Sequence, residues 1–191
     1  MISVIIPCHN ESGNIKLTYE TLANQTFQPQ HIFFVDDAST DTTYHEILEL
    51  PKNLKIQIHA LKTPTNLYRA GACNLALKQA STKYVVMMDA GTILEKHALQ
   101  YAVELLESNT KIGLVCSKAG IEKNGKGLLY RLQKLEYANT DLSRMITQHN
   151  VMISHGLFSA SRKTVMAQVG YYSENMILED YDLTVKVKQA G

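Results

Sequence analysis

The chain has 191 residues, enough to enclose one hydrophobic core, and its 19 basic residues nearly balance its 18 acidic ones. This balance gives no broad positive field for a nucleic acid, and the longest apolar runs, such as residues 84–88, are far too short to span a membrane. The first residues enter a strand pattern without the charged region of a signal peptide. Cys8, Cys73 and Cys116 have no CxxC spacing, so we expect reduced thiols in a cytoplasmic protein.

Short apolar runs alternate with longer helical patterns along the chain. Strands are predicted at "ISVIIP", "HIFFVDD", "KIQIHAL", "YVVMMDA" and "IGLVCS", in the manner of strands that are covered on both faces of a parallel sheet. Helices are predicted after Ser12 as an N-cap, through Leu22, and over 70–80, 95–107 and 127–149. The alternation predicts an α/β fold with a mostly parallel central sheet flanked by helices.

Candidate site residues, most of them polar, follow three of these strands, and a sheet of this kind binds ligands beyond the carboxyl ends of its strands. They are Pro7, His9, Asn10 and Glu11 after the first strand, Asp36, Asp37, Ser39 and Asp41 after the second, and Asp89 after the fourth. We expect Asp41 and Ser12 to serve turns and helix caps. If Asp36, Asp37 and Asp89 face one crevice, they indicate a cation or a polar ligand.

Four motifs occur in a characteristic order: "SVIIPCHNE", "FFVDDASTD", "VVMMDAGT" and "ILEDYDLT". With "NQTFQPQHI", "NLYRAGACNLAL", "QKLEY" and "SHGLFSASRKTVMAQVGYYSEN", they resemble the inverting family-2 glycosyltransferases of GT-A fold over essentially the whole chain. The likeness is greatest to processive or membrane-associated members such as cellulose, hyaluronan and poly-N-acetylglucosamine synthases. It implies a single Rossmann-like nucleotide-diphospho-sugar transferase domain, with a nucleotide-binding part over about 1–92 and an acceptor-side part over about 93–191.

The resemblance also implies a donor site. The base would lie against a loop that includes Pro7, His9 and Glu11, with Asp37 accepting from the ring N–H and Asp36 supporting the loop. Asp89 would touch the ribose and hold Mn²⁺ or Mg²⁺, and Asn66, Arg69 and Asn74 would line the pocket. Carboxylate and phosphate oxygens suit such ions. For Arg69 two interpretations stay open, a partner of phosphate or a solvated residue at a helix start.

The acidic cluster near residue 180 matches the terminal acidic motif of the family. By resemblance Asp180 is the general base that takes the proton from the acceptor hydroxyl, and Glu179 orients it or the acceptor. Glu179 and Asp180 can also cap a helix predicted over 181–189, where negative charge suits the helix dipole, and both roles can hold. We assign Asp182 to the first turn of that helix as a structural acid.

Two departures from the family pattern set limits on this interpretation. Gly91 stands where the second aspartate of an Asp-x-Asp motif is expected, so we expect weakened metal binding, with His155 weighed as a substitute and favoured as a loop residue. This departure supports an alternative function, a catalytically impaired nucleotide-binding or scaffold domain of the same fold. The Gln-x-x-Arg-Trp motif and membrane helices of processive relatives are not in the sequence. Two interpretations stay open, a domain truncated at its C-terminus from a longer protein or a naturally minimal or degenerate domain. We expect a cytoplasmic location, at the cytoplasmic face of a membrane if the full-length protein is longer.

The expected partners are a nucleotide-diphosphate sugar, with uridine favoured, and a glycan or lipid-linked acceptor. A nucleotide-binding dehydrogenase is excluded, because "PCHNESGN" offers one glycine where several are needed. In the helix over 127–149, Leu128, Leu132, Leu135 and Leu142 fall on one side. We expect this stripe to pack on the sheet, with an amphipathic contact to a membrane surface as the alternative.

Overall fold

The computed structural model describes residues 1–52, 55–121, 125–146, 153–154 and 156–190. The strands of this part are β1 (Ile2–Cys8), β2 (His31–Asp36), β3 (Gln57–Lys62), β4 (Tyr84–Met88), β5 (Leu114–Cys116) and β6 (Phe158–Arg162). The helices are α1 (Ile15–Ala23), α2 (Thr43–Leu48), α3 (Tyr68–Gln79), α4 (Ala98–Ser108), α5 (Leu128–Ile146), α6 (Lys163–Gln168) and α7 (Glu179–Gln189).

The six strands form one sheet in the order β3-β2-β1-β4-β6-β5. The first four strands pair in parallel, whereas β6 lies antiparallel between β4 and β5. Five strands therefore run in one direction and β6 runs in the other. The predicted α/β fold with a mostly parallel sheet is confirmed.

The core lies in two layers, one on each face of the sheet. Ile6, Phe34 and Val86 pack on the face that α1, α2 and α4 cover. Their strand neighbours, such as Ile5 and Phe33, pack on the opposite face against α3, α6 and α7. Successive strand side chains point to opposite faces, so a strand covered on both faces must be apolar at consecutive positions. This explains the continuous apolar runs of β1, β2 and β4.

Three elements lack a clear sequence signal: α2, β6 and α6. Strand β6 reads "FSASR", yet Phe158 to Ser161 are buried, because β6 lies inside the sheet between two neighbours. The Ser161 hydroxyl donates to the Gly113 carbonyl at 2.7 Å, which satisfies a buried polar group within the sheet. The serines Ser159 and Ser161 at buried positions interrupt the apolar pattern, and this hides the strand in the sequence.

The helix boundaries differ from the predicted ones by a few residues. The N-cap of α1 is Asn14 and not Ser12, whose hydroxyl instead contacts Thr42 and donates to Glu46 at 2.6 Å. Helix α3 begins two residues earlier than predicted, and α4 begins three residues later. Helix α7 already includes Glu179, so both acids of the motif lie in its first turn.

Helix α5 differs from the sequence prediction in its packing. Leu128, Leu132, Leu135 and Leu142 are between 53% and 73% exposed, so the expected packing of this stripe on the sheet is wrong. The predicted continuation to residue 149 lies outside the described residues. Among the helices that the structure describes, none combines the length and the apolar character that crossing a membrane requires.

Candidate active site

A cleft of about 340 Å³ opens at the carboxyl ends of β1, β2 and β4. It receives residues from the loop after β1, the start of the loop after β2, the segment that leads into α3 and the residues after β4. The lining residues are Pro7, Cys8, His9, Glu11, Asp37, Asn66, Tyr68, Arg69, Asp89 and Ala90. Seven of the predicted site residues are therefore brought together, although up to 82 positions separate them in the chain.

One wall of the cleft is fixed by Asp37, which is 3% exposed. Its Oδ1 accepts hydrogen bonds from the Thr63 hydroxyl and from the Leu67 N–H, both at 2.8 Å. The Asp37 carbonyl accepts a hydrogen bond of 2.7 Å from Nδ1 of His9. These contacts join the loops after β1 and β2 and hold the carboxylate in one orientation.

Four predicted site residues do not line the cleft: Glu179 and Asp180, which lie in the first turn of α7, and Asp36 and Asn74. Asp36 is fully buried; its Oδ1 accepts from the Ser39 N–H at 3.3 Å, and its Oδ2 lies 3.5 Å from Lys62 Nζ. The Asn74 side chain bonds both backbone groups of Tyr172, its amide nitrogen donating at 2.9 Å and its oxygen accepting at 3.0 Å. Asn74 therefore fastens α3 to the segment before α7, and Asp36 fastens the turn after β2.

The guanidinium of Arg69 joins the acid after β4 to the acids of α7. Its Nε donates to Asp89 Oδ1 at 3.0 Å, and one terminal nitrogen donates to Asp180 Oδ1 at 2.9 Å and to Glu179 Oε1 at 3.4 Å. The other terminal nitrogen donates to the Gly156 carbonyl at 3.0 Å. The side chain is only 20% exposed, so it is not the solvated helix-start residue of the second interpretation.

Burial and neighbouring charge set the protonation of this cluster. Burial raises the pKa of the Asp180 carboxyl to about 6, against the opposing influence of Arg69, and Glu179 and Asp89 add to the increase. Burial by itself disfavours the charged guanidinium of Arg69, yet the surrounding groups, Asp180 and Asp89 among them, raise its pKa above the ordinary value. An aspartate that titrates near neutrality and contacts a cleft residue, here Arg69, has the properties of a general base.

The charge of the cleft is predominantly negative. Among its described lining residues, Glu11, Asp37 and Asp89 are acids, and Arg69 alone carries a full positive charge at neutral pH. Glu179 and Asp180 add further negative charge through their contacts with Arg69. An anionic ligand in this cleft would therefore depend on Arg69 or on an added cation.

The described residues of the cleft do not by themselves fit a resident divalent cation. Asp89 Oδ1 is engaged by Arg69, and Gly91 offers no side-chain oxygen. In the part of the chain that the structure describes, no three His, Cys, Asp or Glu side chains are grouped to hold a metal ion. His155 lies outside that part.

Gly91 also has a structural reason to be a glycine. Its φ is 76°, its N–H donates to the Thr18 hydroxyl at 2.8 Å, and an added Cβ would lie 3.3 Å from Asn14 Cγ. An aspartate at this position would be strained by its backbone conformation.

Three lining residues were not predicted from the sequence: Cys8, Tyr68 and Ala90. Tyr68 is the most prominent, because it is 74% exposed at the cleft and has a φ of 57°, which is unusual for a bulky residue. Its N–H donates to Asn66 Oδ1 at 2.7 Å, and this contact supports the turn that begins α3. The position of Tyr68 between Asn66 and Arg69, two predicted pocket residues, was the sequence feature that could have indicated its place in the cleft.

The comparison with known protein families decides the classification. The profile of "Glycosyl transferase family 2" matches residues 3–170. The chain belongs to this family. Glycosyl transferase family 2 relatives include a poly-beta-1,6-N-acetyl-D-glucosamine synthase of Staphylococcus epidermidis, 30% identical over 190 residues that make up 97% of this chain and 45% of the relative. The synthase of Staphylococcus aureus strain MSSA476 is 29% identical, over 100% of this chain and 46% of the relative.

Solved structures show the same GT-A fold. The mannosyltransferase PcManGT of Pyrobaculum calidifontis, in complex with GDP-Man and Mn²⁺, matches with a TM-score of 0.77 and 21% identity, over 100% of this chain and 52% of that one. TarS 1-349 of S. aureus, in complex with UDP, matches with a TM-score of 0.71 and 22% identity, over 97% and 54%. The chain thus spans about half the length of these proteins and of its curated family-2 relatives.

Proposed function

We propose that this chain transfers a sugar from a nucleotide-diphosphate donor, with uridine favoured, to a hydroxyl group of a glycan or lipid-linked acceptor. The transfer inverts the anomeric centre. The names of the family-2 relatives support an N-acetylhexosaminyl donor as the first candidate, and the neighbours bound to UDP and GDP-Man support a nucleotide diphosphate in this fold. We further propose that residues 1–92 contribute most of the donor contacts.

One observation carries this proposal: Asp89, which lines the cleft together with Asp37, and Asp180, in the first turn of α7, contact the same guanidinium of Arg69. Asp89 follows β4, and Asp180 lies in the first turn of α7. The fold therefore brings a residue of the proposed donor site and the candidate base into contact with the same side chain, Arg69. Shared contact with Arg69 supports a reaction centre between the donor cleft and the first turn of α7.

Asp180 is the proposed general base. The acceptor oxygen forms a bond to the anomeric carbon, and the hydroxyl proton passes to the Asp180 carboxylate. The bond from the anomeric carbon to the diphosphate oxygen breaks, and its electron pair leaves with the nucleotide diphosphate. Attack opposite the leaving group inverts the configuration. The pKa of about 6 supports this role, because the carboxylate is mostly ionised at neutral pH yet remains a useful proton acceptor.

The remaining residues bind and orient the donor. Asp37 is proposed to accept the ring N–H of the base, because its carboxylate is held rigidly at the cleft wall. Glu179 is proposed to orient Asp180 through their common partner Arg69. We assign no step to Mn²⁺ or Mg²⁺, since the donor set of the described residues does not fit such an ion.

A calorimetric binding screen tests the proposal with UDP, UDP-GlcNAc and GDP-Man, each in Mn²⁺ and in EDTA. We expect a uridine ligand to bind, and Asp37→Asn to weaken its binding about tenfold or more because a buried charged acceptor is lost. Glu104→Gln, on the exposed side of α4, is the matched control and should leave the affinity unchanged. If none of the nucleotides binds, the proposal is wrong.

A second candidate function is a nucleotide-binding or scaffold domain without transfer activity. Gly91 favours it, together with the lack of a three-ligand metal group among the described residues. The screen separates the two functions when it is followed by a transfer assay with glycan acceptors. Nucleotide binding without any sugar transfer would favour the scaffold. Gly91→Asp is a poor rescue variant, because its positive φ opposes the substitution.

Association with a lipid surface through α5, and a location at the cytoplasmic face of a membrane, stay predictions. The exposed leucines of α5 are compatible with a lipid contact. Flotation with vesicles that contain anionic lipid tests it, and Leu132→Ser combined with Leu135→Ser should reduce the floated fraction. Protein that remains at the bottom of the gradient would contradict the lipid contact.

A further inference from the structure

Arg69 is suited to two tasks that compete for its guanidinium, the binding of a diphosphate and the binding of the proposed base. It is the one fully charged cation among the described residues that line the cleft, and it is also the hydrogen-bond partner of the proposed base. Its four hydrogen bonds to Asp89, Asp180, Glu179 and the Gly156 carbonyl use every nitrogen of the guanidinium. The same side chain cannot fully serve a diphosphate and hold all of these partners.

The contact with Asp180 keeps the proposed base engaged. A carboxylate oxygen that accepts a 2.9 Å hydrogen bond from a guanidinium is a poorer proton acceptor than a released one, because the opposite charge stabilises its ionised form. Asp180 is 20% exposed, so bulk water screens this interaction only in part. A base in this state is held away from the proton of an acceptor hydroxyl.

An incoming donor would compete for the same guanidinium. A diphosphate brings negative charge into a cleft whose other charged lining groups are acids. Arginine binds phosphate oxygens with paired hydrogen bonds, and these are among the strongest that it forms. The diphosphate therefore has a cationic partner in this cleft to the extent that Arg69 turns away from its carboxylates.

We propose that Arg69 is a latch that the donor opens. Without a donor, the guanidinium holds Asp180 in an ion pair at the first turn of α7. When the donor binds, its diphosphate replaces Asp180 on the terminal nitrogen of Arg69, and the released carboxylate faces the acceptor hydroxyl. This inference rests on the proposed function. It makes Arg69 a residue that couples donor binding to the base, and it predicts that the donor binds before the acceptor is deprotonated.

Gly156 packs closely against the guanidinium of Arg69. A Cβ at this position would lie 2.7 Å from a terminal nitrogen of Arg69, so glycine lets the guanidinium approach the backbone carbonyl closely. Gly156→Ala should push the flexible end of Arg69 away without changing any charge. Gly120→Ala is the matched control, because nothing lies within 4 Å of a Cβ added at Gly120.

The first test measures UDP and uridine affinities by calorimetry in EDTA. Asp180→Asn removes the ion pair with Arg69, so we expect UDP to bind about fivefold or more tightly. A change of this size is typical of the interaction energy between two residues in contact. Gly156→Ala should also strengthen UDP binding, whereas Gly120→Ala should not. Asp182→Asn removes a charge two residues away on α7 whose partner is Lys186, and it should leave UDP affinity unchanged. Uridine lacks the diphosphate, so its affinity should be the same in all of these proteins.

The outcomes separate the latch from the proposed function. If UDP binds but Asp180→Asn does not strengthen its binding, or strengthens uridine binding equally, the latch is wrong and the proposed function stands. If neither UDP nor GDP binds to any of these proteins, the proposed function fails and the latch fails with it. In an Arg69→Met background the effect of Asp180→Asn on UDP binding should disappear, and its persistence would overturn the coupling through Arg69.

The second test follows the side chain itself. In a nitrogen-15 NMR spectrum of arginine Nε–H groups, the Arg69 signal should shift when UDP saturates the protein. Arg162 is an internal control, because its guanidinium binds backbone carbonyls, Ile112 among them, and does not line the cleft. An Arg69 signal that is unchanged at saturation would show that the diphosphate does not take over the guanidinium.

Discussion

The cleft and helix α5 differ in how their side chains are satisfied. In the cleft, Asp37 and Arg69 have hydrogen-bond partners on other elements, Asp180 of α7 among them, and these partners fix their orientation. On α5, four leucines that fall on one side by helical spacing are more than half exposed. One region is ordered by directional contacts within the described chain, and the other presents an apolar stripe to solvent.

This difference shows what kind of inference a sequence pattern supports. Polar residues at the carboxyl ends of parallel strands must lie at one edge of the sheet, so the pattern fixes their location. An apolar stripe on a helix states which side is apolar, but it does not state what covers that side.

The largest effect is expected at the base. Asp180→Asn should lower the rate of sugar transfer by about 10²–10⁴, the usual contribution of a positioned general base, while nucleotide binding is not weakened. Asp182→Asn, whose carboxylate contacts Lys186, is the control and should keep the rate. The measurement is the initial rate of transfer from the donor that the binding screen identifies. Equal rates for both variants would remove Asp180 from the chemistry.

The next effect concerns the layer beneath the cleft. Phe34 is fully buried in β2, so Phe34→Ala should lower the free energy of unfolding by about 3–5 kcal/mol through lost burial and a cavity. Urea denaturation measures it. Because β2 leads directly to Asp37, nucleotide affinity should fall in parallel at temperatures near the unfolding midpoint. A loss below about 1 kcal/mol would contradict the described core.

An intermediate effect is expected in the pH dependence of stability. Folding raises the pKa of Asp180 from 3.8 to about 6, so the folded state holds this proton more tightly than the unfolded state does. The free energy of unfolding should therefore fall as pH rises through this window. Relative to Asp180→Asn, the fall is at most about 3 kcal/mol, since one pKa unit corresponds to about 1.36 kcal/mol. Denaturation curves at pH 4, 5, 6 and 7 test it, and parallel behaviour of the two proteins would contradict the raised pKa.

The smallest effect is expected on α5. Leu135→Ser should change the free energy of unfolding by no more than about 0.5 kcal/mol, because an exposed side chain loses little when it is replaced. Leu99→Ser on α4, where the leucine is fully buried, is the contrasting variant and should be strongly destabilising. A large loss at Leu135 would show that the leucine stripe packs against the domain.

Much of the fold follows from residue patterns, and the exceptions have physical reasons. Strands β1, β2 and β4 are apolar at consecutive positions because both of their faces are covered, and this made them visible. Strand β6 was missed because two serines, Ser159 and Ser161, occupy buried positions in it; the Ser161 hydroxyl bonds the Gly113 carbonyl. Short helices such as α2 carry too few turns for a periodic signal.

The site was predictable where it depends on strand ends, and less so where it depends on distant contacts. Asp37 and Asp89 reach the cleft because β2 and β4 both end at it. The contact between Arg69 and Asp180 joins residues 111 positions apart, and no spacing rule connects a helix start to a helix start at that distance. Asn74 was predicted to line the donor pocket because it lies in a motif of the family. Its side chain instead bonds the backbone of Tyr172, a structural contact that the motif does not reveal.

The reversed direction of β6 has a consequence for the cleft. Phe158 pairs with Met88, so the beginning of β6 lies beside the end of β4, and the Gly156 carbonyl comes next to Arg69. A slip of two residues along β4 would carry that carbonyl about 7 Å away, at roughly 3.4 Å per residue. The alignment of a strand that lends no side chain to the cleft thus decides where the only fully charged cation among the described lining residues can rest.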